Sequence, residues 1–300
     1  MTVWALSFGL LVCVLMYALA IRWLRVQARR RLQAAEPQPP AAGLGAHEIT
    51  RYARHLVLRE IGGPRQLKLK QSGILVVGAG GIGSPALLYL ASCGVGRLGI
   101  VDDDRVDLTN LQRQVIHAED SLKTFKTRSA AKAIHRLNPL VAVEEHCVRL
   151  DADNACDLIG AYDLVLDGSD SLTTRRIVNQ ACHDCATPLV FGAVSQWEGQ
   201  VGAILPGQSA CYECLFPDVP VAGDAPSCAE AGVFGALPGV VGTMAAIEAM
   251  KIRMEIGTVL VNTVLIYDAL HGATRQIAFD PRPGCRICRR ASGTSPGAAS

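Results

Sequence analysis

The sequence predicts an α/β fold: a Rossmann-like, doubly wound, mainly parallel sheet, with a metal-stapled C-terminal part and one N-terminal transmembrane helix. Three observations predict it. Short apolar runs alternate with stretches of helix-like composition, the pattern of a parallel sheet covered by crossover helices. A glycine-rich turn opens at Gly78, directly after the first of those runs. Two Cys-x-x-Cys pairs stand about 70 residues apart in the second half of the chain.

Half of the 300 residues are hydrophobic and 19% are charged, which is enough apolar material for a substantial core. The formal charge of +2 and the dispersed basic residues of the main body exclude the clustered basic face of a nucleic-acid binder. Aromatic residues, at 5%, are too few to offer stacking platforms for bases. No nucleic-acid partner is expected. Eleven cysteines, an odd number with several pairs at two-residue spacing, fit metal or thiol chemistry in a reducing compartment better than a disulfide scaffold.

Residues 1–24 read as the transmembrane anchor. Met1 to Ile21 carries no charged side chain, and roughly twenty helical residues span the ~30 Å hydrocarbon core of a bilayer. Arg22, Arg25, Arg29, Arg30 and Arg31 follow at once, so the positive-inside rule places the body in the cytoplasm, below a single pass through residues 3–23 of the cell membrane. Two alternatives stand beside this reading. Ala18-Leu19-Ala20 resembles a signal-peptide cleavage site, and translation from Met16 would delete most of the span. Residues 25–45 form a basic linker with a Pro-rich end.

The folded body is expected over residues 46–290. Its buried strands are Ile74 to Val77, Leu98 to Val101, Leu164 to Leu166, Leu189 to Phe191 and Gln200 to Ile204, with helices over Pro85 to Ser92 and Thr127 to Leu137. Residues 291–300 are small and polar and read as a disordered tail.

Gly78-Ala79-Gly80-Gly81-Ile82-Gly83 lies between a strand and a helix, the context in which G-x-G-x-x-G signifies phosphate binding. Asp102, after the next strand, stands where an acid grips ribose hydroxyls. Those features alone suit a nicotinamide-dependent oxidoreductase equally well. Asn110-Leu111-Gln112-Arg113-Gln114 and Lys126 add cations that nucleotidyl transfer needs against triphosphate and pyrophosphate charge, although the run could also be a solvated loop. Asp170, after the strand ending at Leu166, could hold Mg²⁺ or could cap the following helix.

Cys211, Cys214, Cys285 and Cys288 form two matched knuckles that suit a closed, structural tetrahedral Zn²⁺ site; redox dithiols are the alternative. Cys182-His183-Asp184-Cys185 has the same spacing but falls in an expected helix, where small cysteines serve as core residues. Cys228 sits in a flexible small-residue stretch and could be a thiolate nucleophile.

Taken in order, Arg51-Tyr52-Ala53-Arg54, the glycine-rich loop, Asn110 to Gln114, Asp170, both knuckles and Cys228-Ala229-Glu230-Ala231-Gly232 resemble the MoeB/ThiF (HesA) family of E1-like sulfur-carrier adenylyltransferases. The resemblance runs from about Ile49 to Arg289. It implies that Gly78, Gly80, Gly81, Gly83, Asp102 and Asp104 hold ATP, that Asn110, Arg113 and Lys126 contact its phosphates, and that Asp170 works with Mg²⁺. It implies a homodimer in which Arg54 reaches the other subunit's site, and a sulfur-transfer or dispensable role for Cys228. The implied partner is a small ubiquitin-like sulfur carrier ending in Gly-Gly, the molybdopterin-synthase carrier ahead of the thiamine one. A persulfide-donating sulfurtransferase or cysteine desulfurase would supply sulfur, because the chain stops too soon after the second knuckle for an appended rhodanese domain. Two departures stand out: Lys123-Thr124-Phe125-Lys126 replaces the family's Gly-x-Pro-Lys turn, and Ser171 replaces a common Asn. A non-catalytic membrane scaffold that recruits a carrier is the remaining alternative.

Overall fold

The computed structural model describes residues 43–217 and 232–288. Its eight strands are β1 (Gly73–Val77), β2 (Arg97–Val101), β3 (Ala142–His146), β4 (Leu164–Asp167), β5 (Leu189–Val194), β6 (Glu198–Ile204), β7 (Thr263–Asp268) and β8 (Ala273–Ala278). They form one sheet in the order β3-β2-β1-β4-β5-β6-β7-β8, parallel through β5 and antiparallel from β6 onward.

The central strand β1 is buried along its whole length, which is why Ile74-Leu75-Val76-Val77 reads as an unbroken apolar run. Successive side chains point to opposite faces. Ile74 and Val76 join one core with Leu87, Leu90, Val241 and Ala245. Leu75 and Val77 join a second core with Ile159, Val178 and Phe191. Because β1 pairs with β2 on one side and β4 on the other, the strand order reverses at β1. The ligand crevice of such sheets opens there, at the strands' C-terminal ends.

Nine α-helices are defined among the described residues: α1 (Ala46–Arg51), α2 (Ala53–Leu56), α3 (Gly62–Lys70), α4 (Gly83–Cys93), α5 (Lys126–Leu137), α6 (Ala155–Gly160), α7 (Leu172–Asp184), α8 (Tyr212–Leu215) and α9 (Leu237–Met254). Helix α4 starts where a Cβ on Gly83 would lie 1.8 Å from the Gly78 carbonyl oxygen, so only glycine lets the helix close onto the loop. Gly78 itself takes φ +86°, the left-handed region that favours glycine.

Strands β3, β7 and β8 were not expected from sequence. β3 is an edge strand carrying Glu144, Glu145 and His146, and β8 is the opposite edge with every residue exposed. Neither presents an apolar run.

The transmembrane helix, and with it the cell-membrane location with a cytoplasmic catalytic domain, is corrected: no helix of the described residues is long and apolar enough to cross a membrane. The longest, α9, has 18 residues, but it carries Glu248, Lys251 and Arg253 and packs on α4 and on β5 and β6. Residues 3–23, where the span was placed, lie outside the described residues, as do most of the linker and the 291–300 tail.

Candidate functional site

A cavity of about 370 Å³ opens at the β1/β4 crevice, within the ~300–1,000 Å³ range of small-ligand sites. Gly78, Gly80 and Gly81 from the β1–α4 turn line it, together with Asp102, Asp103 and Asp104 after β2. Arg113, Gln114 and Lys126 line it from the segment leading into α5. Gly168, Ser169, Asp170 and Arg175 close it after β4.

Asp102 is buried, and its two carboxylate oxygens accept from the backbone N–H of Ala79 at 2.8 Å and of Asp104 at 2.9 Å. Burial pushes its pKa above the ordinary carboxylate value, and the Lys126 charge works against that push. Besides facing the cavity, the carboxylate therefore shapes the glycine-rich turn. Lys126 is the first residue of α5, and its ammonium lies 2.7 Å from Asp104 with the lysine buried and the aspartate exposed. The altered turn ahead of it still delivers it, because Lys123 adopts φ +66° where a glycine is usual. That conformation costs a non-glycine residue roughly 1–2 kcal/mol. Lys123 also pairs with Asp107 at 2.9 Å, and Arg105 stacks over the Phe125 ring.

The Arg113 guanidinium is held by Asn110 Oδ1 at 2.9 Å and the Thr109 carbonyl at 3.3 Å. Asn110 does not line the cavity; its side chain orients Arg113 instead. Gly83 is likewise outside the lining and acts through packing. Arg54 is exposed on α2 and does not line the cavity of its own chain.

Asp170 is exposed at the cavity wall and is not the cap of α7. Ser171 takes that role, its hydroxyl oxygen accepting from Thr174 N at 3.4 Å, which leaves the Asp170 carboxylate uncommitted to the helix. Beneath it, buried Asp167 accepts from Ser169 N at 2.9 Å. Burial raises the Asp167 pKa, and the neighbouring Arg175 opposes the rise. Arg175 also donates to the Ser169 carbonyl.

Three polar atoms of this cavity are buried without a protein partner: Gln114 Oε1, Ser169 Oγ and Arg175 Nη1. Buried polar groups are seldom left unpaired, and a polar ligand with several acceptors would satisfy the arginine. In sequence, Gln114 and Ser169 stand out only as members of longer polar runs, and Arg175 does not stand out. The available signal was a buried-phase arginine one turn into the helix that follows Asp167-Gly168-Ser169-Asp170.

His117 supports the glycine-rich turn from behind. Its Nε2 lies 2.9 Å from the Ala79 carbonyl and its Nδ1 2.9 Å from Ser129 Oγ. Burial pulls its pKa below the ordinary 6.5. The unfolded chain thus binds more protons than the folded one as pH falls through about 6.5. This contribution to stability is complete above that value and is lost as pH falls through the folded pKa. Thermal melts between pH 7.5 and 5 should fall less steeply in His117→Gln; equal slopes would assign the acid sensitivity elsewhere.

The thiols of Cys211, Cys214, Cys285 and Cys288 converge within 4.8 Å of one another. Cys211 lies 3.8 Å from Cys214 and 3.5 Å from Cys285, and Cys214 lies 3.4 Å from Cys288. The Arg282 backbone N–H donates to Cys214 Sγ at 3.2 Å. Cys182 is buried in the second core and Cys185 contacts the Cys156 carbonyl, so this pair serves packing, as expected. Cys228 lies outside the described residues.

A doubly wound sheet with a glycine-rich turn, strand-end acids and cations around one crevice defines a nucleotide-binding α/β protein. The chain belongs to the ThiF family, whose model matches residues 52–287, and it is an enzyme of the nucleotidyltransferase class. It is 46% identical over 246 residues to the sulfur carrier protein adenylyltransferase of Thermus thermophilus, covering 80% of this chain and 91% of that one. It is 43% identical to the SAMP-activating enzyme E1 of Haloferax volcanii, over 82% of this chain and 90% of the relative. Against the adenylyltransferase and sulfurtransferase MOCS3 of Sus scrofa, identity is 42% over 91% of this chain but only 60% of that protein. The crystal structure of E. coli MccB shares the fold at a TM-score of 0.71 with 22% identity, covering 79% of this chain and 74% of that one.

Proposed function

We propose that this enzyme adenylates the C-terminal glycine carboxylate of a small ubiquitin-like sulfur-carrier protein, using ATP and Mg²⁺. One observation carries the reading: Gly80, Gly81, Asp102, Arg113, Lys126 and Asp170 line a single cavity at the sheet's switch point. A carboxylate oxygen of the carrier attacks the α-phosphorus of ATP, the bond from that phosphorus to the β-phosphate oxygen breaks, and pyrophosphate leaves with its charge. The carboxylate is already anionic at neutral pH, so no general base is required. The chain's own contribution is positioning and cation placement. Arg113 and Lys126 face the phosphates, Asp102 the ribose, and Asp170 would hold Mg²⁺. Arg54 would serve the cavity of a second copy in a homodimer.

The four converged thiols would hold Zn²⁺. With Zn–S near 2.3 Å, tetrahedral thiolates stand about 3.8 Å apart, close to the separations of 3.4 and 3.5 Å across the two knuckles and 3.8 Å within one. That ion supplies structure, tying residues 285–288 to α8.

A molybdopterin-synthase carrier is the favoured substrate, followed by conversion of the acyl-adenylate to a thiocarboxylate by a separate persulfide donor. ATP–pyrophosphate exchange, run separately with molybdopterin-type and thiamine-type carriers ending in Gly-Gly, tests this. Exchange is expected with the first. Exchange with only the thiamine-type carrier would reassign the substrate, and none with either, despite bound ATP, would sink the adenylation reading.

A further inference from the structure

We propose that the stacked pair Trp197 and Phe234 determines carrier specificity, by receiving the last side chain ahead of the carrier's Gly-Gly end. The inference rests on the adenylation reading and names what selects the substrate within it.

The sheet order sets the direction in which the two substrates lie. The cavity runs along the C-terminal ends of β3-β2-β1-β4-β5, from Val148 and Leu150 after β3 to Val194 at the end of β5. Four inter-strand steps of about 4.8 Å make that run roughly 19 Å long. Asp102 after β2 faces the ribose and the Gly78 to Gly81 turn after β1 faces phosphate, which puts the base towards β3. The carboxylate that attacks the α-phosphorus is left the β5 side, past Val194 and Val233.

The aromatic pair stands next in the chain to these two valines. Trp197 lies in the turn between β5 and β6, and Phe234 precedes α9. Their rings stack with centroids 5.0 Å apart and planes at 21°, yet they remain 38% and 49% exposed. Backbone hydrogen bonds hold both in place. Phe234 N–H donates to the Gln196 carbonyl at 3.1 Å, Leu237 N–H to the Phe234 carbonyl at 2.9 Å, and Ala269 N–H to the Trp197 carbonyl at 2.8 Å. The same segment abuts the loop that carries Arg113: a Cβ on Gly235 would lie 2.3 Å from Gln112 Oε1.

Exposed aromatic area held in a fixed geometry is the form that interface hot spots take, because little ordering is left to do on binding. Two extended glycines span about 7 Å and offer no side chain, so the first carrier side chain falls outside the β5 end of the cavity, where the pair stands. An apolar side chain buries against the rings. A carboxylate there would lose hydration without gaining a partner, since Arg275 is already paired with Glu198 at 2.9 Å.

The test uses the full-length protein and a Gly-Gly carrier in three versions, with leucine, serine or aspartate ahead of the glycines. Carrier binding and ATP affinity with Mg²⁺ are measured by calorimetry, and ATP–pyrophosphate exchange is followed against carrier concentration. The wild type should bind the leucine version about 10-fold more tightly than the serine version, the lower end expected for burying one leucine side chain, and the aspartate version most weakly. Trp197→Ala should raise the half-saturating concentration of the leucine version about 10-fold and abolish the preference. Its exchange rate at saturating carrier and its ATP affinity should stay as in the wild type, and Trp197→Phe should restore most of the preference. A merely structural role would lower melting temperature, ATP affinity and saturated rate together and leave the preference intact. Wild-type protein that binds the three versions equally, or Trp197→Ala protein that keeps the preference, overturns the proposal. A kept preference with an altered oligomeric size would make a second copy the occupant instead. Should Trp197→Ala fail to fold, the wild-type preference and Phe234→Ala decide. Carrier binding that depends on Trp197 but gives no exchange would remove adenylation and keep the surface, and exchange without that dependence would do the reverse. Neither binding nor exchange with any version overturns both.

Discussion

Arg113→Ala should lower the rate of ATP–pyrophosphate exchange by about 10²- to 10³-fold, the loss typical of deleting one preorganised group that stabilises transition-state charge. The guanidinium is half-exposed at the cavity wall, and its protein contacts are Asn110 Oδ1 and the Thr109 carbonyl, both within the same short segment. Removing it therefore breaks no long-range hydrogen bond of the fold, and the melting temperature should move little. Asn110→Ala should produce a smaller loss of the same kind, because it releases the guanidinium without removing its charge. The measurement is exchange rate at saturating carrier beside a thermal melt. An Arg113→Ala protein with undiminished exchange would remove Arg113 from phosphate chemistry. One that keeps its biological effect while losing exchange would point to a carrier-recruiting scaffold.

Cys211→Ser should empty the four-thiol site and destabilise the protein by more than about 4 kcal/mol, the range in which loss of a structural metal falls. For a domain of this size that corresponds to a fall of roughly 10 °C in melting temperature. Cys211 is fully buried and lies 3.5 Å from Cys285, so it is one of the two thiols, with Cys214, through which the C-terminal segment is tied to the body. Cys185→Ser is the matched control, since the Cys185 thiol donates to the Cys156 carbonyl, outside the four-thiol cluster, and the change should leave the metal content unchanged. Metal measured per chain and melting curves decide the matter. Equal metal content in Cys211→Ser and wild type would refute the four-thiol site, and equal loss in both variants would show an unspecific effect of thiol removal.

Sequence by itself determined the features that depend on short-range spacing. The apolar runs Ile74 to Val77 and Leu98 to Val101 became adjacent parallel strands because strands buried on both faces must be apolar throughout. The turn from Gly78 to Gly83 was legible because glycine is favoured at the left-handed φ of Gly78 and only glycine fits the close contact at Gly83. The matched knuckles were legible because two thiols three residues apart can wrap one ion, and the decoy at Cys182 could be set aside because helical context buries it. Tertiary structure alone decided what depends on partners distant in the chain. Strands β3 and β8 exist because neighbouring strands satisfy their backbone hydrogen bonds, and no apolar run announces them. Asn110, expected against phosphate, accepts from the Arg113 guanidinium, a partnership that its place in the sequence did not announce. Asp170 is free of capping because Ser171 takes the cap, a choice made by the geometry of α7. Arg175, an unremarked arginine in sequence, becomes part of the cavity because the helix that carries it begins at the Gly168–Ser171 loop, where its guanidinium donates to the Ser169 carbonyl. Local spacing constrains which conformations a segment can adopt, whereas a buried charge acquires its role from whatever the fold places beside it.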